Sequence, residues 1–234
     1  MTAAEYRPGQ LVVAASVGGT KVACAAVDSA GTVIAAREPS RAPRSDDALH
    51  DLLVTEIEAV AAAVGRDRVW GVGVSFPECV APPAAFAANG PPPPETPHPI
   101  VARVQRDVRD RLGSDTAVAV LHDAAAAVLG EVGAGGTLPG ASDATFIVWG
   151  TGVASGVVRD GSLYWTDDIV QTMVAEVGAL IVRQSDGTYR HDASPDWPRL
   201  TAPEQTLDRR MSGPWLAQRA QELGLVDNAE SSVD

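Results

Sequence analysis

The chain has 234 residues, 45% of them hydrophobic, which is enough to bury a sizeable core as one domain or two packed lobes. A formal net charge of -12 lacks the basic field that nucleic acid or an anionic membrane surface requires, leaving a small molecule or another protein as the expected partner. Cys24 and Cys79 lie in apolar contexts and form no CxxC pair, so buried reduced thiols are expected rather than disulfides or a zinc cluster. Residues 1–10 show no charged-then-apolar signal pattern, and no apolar run approaches the ~20 residues of a membrane span; a cytoplasmic location is expected.

Leu11–Val17 is an apolar run ending at Gly18-Gly19, as in a strand buried on both faces. Residues 22–27 and 32–36 follow, separated by the turn Asp28-Ser29-Ala30-Gly31, so three antiparallel strands open the chain. Ser45 is placed to cap a helix carrying Leu49, Leu52, Leu53, Ile57 and Val60 at helical spacing, with Gly65 as its stop. A strand at 69–75 precedes residues 76–99, where nine prolines predict an irregular loop. Ile100, Val104, Val108 and Leu112 mark a second helix, 117–121 a strand, and 123–132 a third helix. The order βββαβαβα places helices against a mixed sheet.

After residues 133–142 the opening theme returns as a strand at 144–149, the turn Gly150-Thr151-Gly152, and a strand at 153–158. Setting Gly19-Thr20 on Gly150-Thr151 aligns Val22 with Val153, Val27 with Val158 and, after a one-residue gap, Gly31 with Gly161. The second unit is shorter than the first. Its remainder reads as a helix at 173–182, a polar irregular stretch at 183–203, a helix after Ser212 with Trp215, Leu216, Ala220 and Leu223 on one face, and a frayed tail. A final strand and helix are missing from the repeat.

Paired glycine turns of this kind suit a phosphate clamp. Backbone N–H groups of Gly18, Gly19 and Thr20, and of Gly150, Thr151 and Gly152, are candidates to bind anionic oxygens, with both threonine hydroxyls and the chain's sole lysine, Lys21, in support. Either turn alone more commonly means an ordinary hairpin; their matched recurrence favours phosphate. Asp123 follows an apolar strand and starts a helix, so it is placed both as an N-cap and as a carboxylate facing the crevice at the strand ends, where it could accept a hydroxyl proton.

These segments resemble, in order, those of the ROK family of sugar kinases and regulators. Ser16-Val17-Gly18-Gly19-Thr20-Lys21 is similar to the family's first phosphate motif, Leu121-His122-Asp123 to its catalytic-aspartate segment, and residues 146–161 to its second phosphate motif. Ala175-Glu176-Val177-Gly178 resembles a substrate-binding stretch, and Leu207-Asp208 with Ser212-Gly213 the segment after the family's zinc site. The resemblance implies a two-lobed, actin-like (ribonuclease-H-like) ATPase fold with duplicated βββαβαβα units, the second incomplete, divided into lobes at 10–120 and 121–234. It further implies ATP- and magnesium-dependent phosphorylation of a sugar or a polyol such as a cyclitol, with Asp123 as base; a homodimer is compatible with it.

By the same resemblance Asn89, His122, Glu176 and Asp208 would contact the acceptor, although Asn89 also reads as an Asn-Gly turn and Glu176 as a solvated helix residue. The sequence departs from the family at Ser16, where an acid is usual, at His122, where an asparagine is usual, and at Ala179, where a histidine is usual. The cysteine-rich zinc loop and the later adenosine-binding segment have no counterpart, so zinc is not expected. A non-catalytic ligand-binding or regulatory protein with impaired nucleotide binding is the alternative. A DNA-binding repressor is disfavoured, because only ten residues precede the first strand and the charge has the wrong sign.

Overall fold

In the computed structural model, which describes residues 7–77, 99–150, 152–164 and 213–223, the strand β1 (Leu11–Val17) alternates along its length. Leu11, Val13, Ala15 and Val17 are buried, whereas Val12 and Ala14 are half-buried and Ser16 is exposed. The expectation of a strand buried on both faces is thus corrected: the second face carries small residues that are only partly covered. β2 (Lys21–Val27) pairs antiparallel with β1, β3 (Val33–Ala36) with β2, and the two-residue β4 (Ser40–Arg41), which sequence periodicity did not reveal, also lies on β2.

The helix α1 (Asp46–Val64) starts where Ser45 accepts the Ala48 N–H at 3.3 Å, as the sequence predicts, and Gly65 follows its last residue. β5 (Val69–Phe76), α2 (Pro99–Leu112) and β6 (Ala117–His122) complete the first unit. Its sheet order is β3-β2-β1-β5-β6, with β1, β5 and β6 mutually parallel. Leu53, Ile57 and Val60 of α1 and Val104 and Val108 of α2 join the inward residues of β1, β2, β5 and β6 in one core.

Cys24 sits in that core as a free thiol. Burial first, and the negative charge of Glu56 second, push its pKa up to about 12.

The helix α3 (Asp123–Val132) belongs to a second core, in which Ala125 and Val128 pack with Val158 and Leu163. Those partners lie on the antiparallel sheet of β7 (Ala144–Trp149), β8 (Val153–Arg159) and β9 (Ser162–Leu163). The expected repeat is therefore present as an antiparallel pair around a glycine turn, followed by a third strand, in both units. A further helix, α4 (Gly213–Glu222), falls where the sequence predicts one, with Leu216 and Leu223 exposed at its side and end. Of the stretch 76–99 expected as an irregular loop, only Phe76, Pro77 and Pro99 are described; Phe76 still belongs to β5, one residue past the expected strand, Pro99 starts α2, and the helix expected at 173–182 lies outside the described residues.

One glycine joins α3 to its sheet. A Cβ on Gly156 of β8 would stand 2.0 Å from the Ala124 carbonyl oxygen and 2.9 Å from Val128 Cγ1, so the strand and the helix backbone touch where no side chain fits. Gly156→Ala should lower stability by ~1–3 kcal/mol or more, because backbone rather than a flexible side chain must move; chemical denaturation measures it, and a parental midpoint would contradict the packing. Cys24 should resist iodoacetamide at pH 8 in the native protein and react on unfolding, as peptide mass spectrometry would show.

Candidate active site

Parallel strands end on the same side, and register decides what meets there. Ser16 of β1 is opposite Ser75 of β5, Ser75 is opposite Leu121 of β6, and Phe76 is opposite His122. The Gly18-Gly19-Thr20-Lys21 turn, the chain leaving β5 at Pro77, and Asp123 therefore share the carboxyl edge of one sheet. Two strand spacings, roughly 10 Å, separate the axes of β1 and β6.

The first turn is tight. Gly18 donates its N–H to the Lys21 carbonyl at 2.8 Å, which closes the hairpin and removes that amide from the pool of anion donors. Gly19 and Thr20 are exposed, and among the described residues no hydrogen bond engages their N–H groups. The Thr20 carbonyl accepts the Ala42 N–H at 2.8 Å, and Lys21 is exposed at the start of β2. Two amides unengaged among the described residues, with an exposed ammonium beside them, are the kind of donors that phosphate oxygens take.

Asp123 is the first residue inside α3, not its N-cap; that position is His122, whose side chain makes no capping bond. The correction has a local reason. The carboxylate Oδ1 accepts the Ala124 N–H at 2.6 Å, so Asp123 engages the free amides of the first turn from within the helix. The His122 ring is buried, with Nε2 at 3.4 Å from the same Oδ1. Among the described residues nothing engages Oδ2, and the side chain is 30% exposed. One oxygen is thus held by protein while the other has no partner among the described residues.

β8, which follows the second turn, packs on α3: a Cβ on Gly156 would meet both the Ala124 carbonyl oxygen and Val128 Cγ1, and Val158 joins Val128 in the second core. Gly150 and Gly152 lie between the paired Trp149 and Val153, and the Gly150 N–H donates to the Gly152 carbonyl at 2.9 Å. That bond spends a second of the six amides expected for the clamp. Thr151, Asn89, Glu176 and Asp208 lie outside the described residues.

Sequence reasoning missed Gly156, although an isolated glycine inside a strand is itself the signal of close backbone approach.

Comparison with known proteins follows the same lines. The sequence model of the ROK family matches residues 12–185. No curated protein matches the chain. Among solved structures, a ROK family glucokinase from Streptomyces griseus, in complex with glucose and AMPPNP, aligns with a TM-score of 0.61 and 22% identity over 92% of this chain and 62% of its own. A ROK hexokinase from Thermus thermophilus gives 0.56 and 18% identity over 92% of this chain and 64% of its own. A ROK family transcriptional regulator, a homologue of the E. coli MLC protein, gives 0.63 and 16% identity over 97% of this chain and 53% of its own. The chain spans less than two thirds of the length of each. At these identities the likeness carries the fold, the actin-like ATPase fold with an incomplete second unit. Together with the family match over most of its length, it places this chain in the ROK family.

Proposed function

We propose that this chain acts as an ATP-dependent kinase for a hydroxyl of a sugar or sugar-like polyol, with Asp123 as the general base. The observation that carries this reading is the partly exposed Asp123, one oxygen held and the other unengaged among the described residues, at the sheet edge that also carries Gly19 and Thr20. We divide the lobes at 10–120 and 121–234, a boundary supported by the separate core that α3 forms with β8 and β9.

The exposed Gly19 and Thr20, with Lys21 beside them, fit the phosphates of a nucleotide, and Gly150, Thr151 and Gly152 of the second unit are their proposed partners in the clamp. ATP, when bound, supplies the phosphoryl group and carries the magnesium ion. Ser16, exposed at the end of β1, offers a hydroxyl toward that assembly rather than a carboxylate. Asp123 takes the proton from the attacking hydroxyl as its oxygen bonds to phosphorus, and Ala124 N–H keeps the carboxylate oriented. His122, buried behind the carboxylate, acts on the acceptor through Asp123. Asn89, Glu176 and Asp208 remain the proposed acceptor contacts, and no zinc takes part.

Ser16 favours a second reading, a sugar-binding regulator on the same fold. Incubation with labelled ATP and a panel of hexoses, amino sugars and cyclitols separates the two: the kinase labels one class, whereas a regulator binds a sugar and labels none. An ATP analogue should slow exchange of the Gly18 and Gly150 amides together; protection of one turn alone would end the shared clamp.

Asparagine at 123 retains an oxygen for the Ala124 N–H and cannot take up a proton from the acceptor. Asp123→Asn should therefore keep the parental melting temperature within a few degrees while losing ~10²- to 10⁴-fold in single-turnover phosphoryl transfer. A folded variant with parental turnover would remove Asp123 from the chemistry.

A further inference from the structure

α1 presents Leu53, Ile57 and Val60 to the core, and among them lies a carboxylate, Glu56, only 6% exposed. An ionised side chain at such a position is costly unless it is fully paired. Its partners are both on the segment that joins β3 to α1: Arg37 Nε stands 2.5 Å from Oε2, and Ser40 Oγ donates to Oε1 at 2.9 Å. Glu56 thus grips that segment at two points three residues apart.

The segment leads to the phosphate turn. Arg37 N–H donates to the Cys24 carbonyl at 3.1 Å, Ser40 pairs with Val22, Arg41 pairs with Lys21, and Ala42 N–H donates to the Thr20 carbonyl at 2.8 Å. It runs along β2 toward the turn, broken between the two grips at Glu38-Pro39. A two-residue strand such as β4 has too little pairing to hold itself in place. Its register depends on the side chain anchored in α1, and α1 is fixed by the core. The Ala42 bond in turn sets the Thr20–Lys21 peptide plane, and with it the direction of the neighbouring amides.

We propose that Glu56 is a positioning residue for the phosphate turn, acting through Ser40 and β4 to hold the Thr20 and Lys21 backbone in its anion-binding arrangement. The inference rests on the kinase reading for its catalytic meaning and on hydrogen bonds alone for its structural content. Glu56 touches no reacting group; its contribution is to nucleotide affinity, not to the acceptor or the proton transfer.

The test compares Glu56→Gln, Ser40→Ala and Ser40→Thr with the parent. Ser40→Ala removes one hydrogen bond at a partly exposed edge and should fold; Ser40→Thr retains the hydroxyl and should behave as the parent. In ligand-free protein, exchange of the Gly18 and Ala42 amides should rise about tenfold in Ser40→Ala and Glu56→Gln, the scale of losing one hydrogen bond to a charged group, with Val72 and Val74 unchanged. The KM for ATP should rise by a similar factor, with kcat and the sugar KM near parental values. Uniform acceleration across the sheet, an unmoved turn in Ser40→Ala, or failure of Ser40→Thr to restore it would overturn the positioning role. Because exchange is read without nucleotide, a loosened turn in a chain whose parent transfers no phosphate refutes the kinase reading and upholds the positioning one; an active parent with an unmoved turn does the opposite.

Discussion

The helix α3 is the constraint on which the rest depends, because it starts on one sheet and packs on another. Its first residue continues directly from β6, so its origin is fixed by the parallel register with β5 and β1. Its body is fixed by Val128, Val158 and Leu163, and by the backbone approach that the missing side chain of Gly156 allows. Neither sheet can shift along the helix without opening a void or forcing a clash. The carboxylate of Asp123 therefore stands at a place set by both units, and so does the turn that precedes β8. A second backbone approach agrees with this: Gly135, in the connection from α3 to β7, has φ +90°, and a Cβ there would meet the Ala30 carbonyl at 2.5 Å in the β2–β3 turn. At Gly135 and Ala30 the two units approach through main chain, where no flexible side chain can absorb a displacement.

The first turn is held by a different logic. Its outward amides are useful only if they are not spent within the protein, and a loop with unspent amides is intrinsically less well fixed. The structure supplies the missing restraint from the carbonyl side: Lys21 C=O accepts Gly18 N–H and Thr20 C=O accepts Ala42 N–H, so the acceptors are tied while two donors stay open. The cost is carried in the core, where a buried carboxylate is matched by two donors. The same carboxylate contributes to raising the pKa of Cys24, which keeps that thiol a neutral packing group.

Much of this was legible in the sequence, where periodicity and punctuation agree. Ser45, the Leu49-to-Val60 spacing and Gly65 mark α1 to within a residue, and the recurrence of a glycine turn between apolar runs exposes the duplication. What escaped depends on relations between distant residues. β4 is two residues long and carries no period of its own; it exists because β2 offers an edge and α1 offers Glu56. Glu56 itself reads as a surface acid in a helix until its burial is known. Asp123 was read as an N-cap because aspartate favours that position, yet the first helical turn begins one residue earlier, with His122 buried before it. The amides of Gly18 and Gly150 looked available for the same reason: a sequence identifies a turn but not which of its N–H groups closes it.

The departures from the family pattern bear unequally on the two halves of a kinase's task. Phosphate is gripped largely by backbone N–H groups, which every residue but proline possesses, so that part of the site tolerates side-chain change provided the turn keeps its shape. Sugar hydroxyls are read by individual side chains, where one substitution alters the set of donors and acceptors. On the reading proposed above, Ala179 is a change of the second kind, whereas His122, which replaces an asparagine, is buried and bears on the acceptor only through Asp123. Ser16 is intermediate, since on the reading proposed above its side chain would contribute to phosphate binding. Asp123 is unchanged, and its geometry separates a held oxygen from one that nothing engages among the described residues. A capping role alone requires only the first, and asparagine or serine would serve it equally. The retained carboxylate with altered neighbours therefore supports, within the kinase reading proposed above, a changed acceptor over abandoned chemistry.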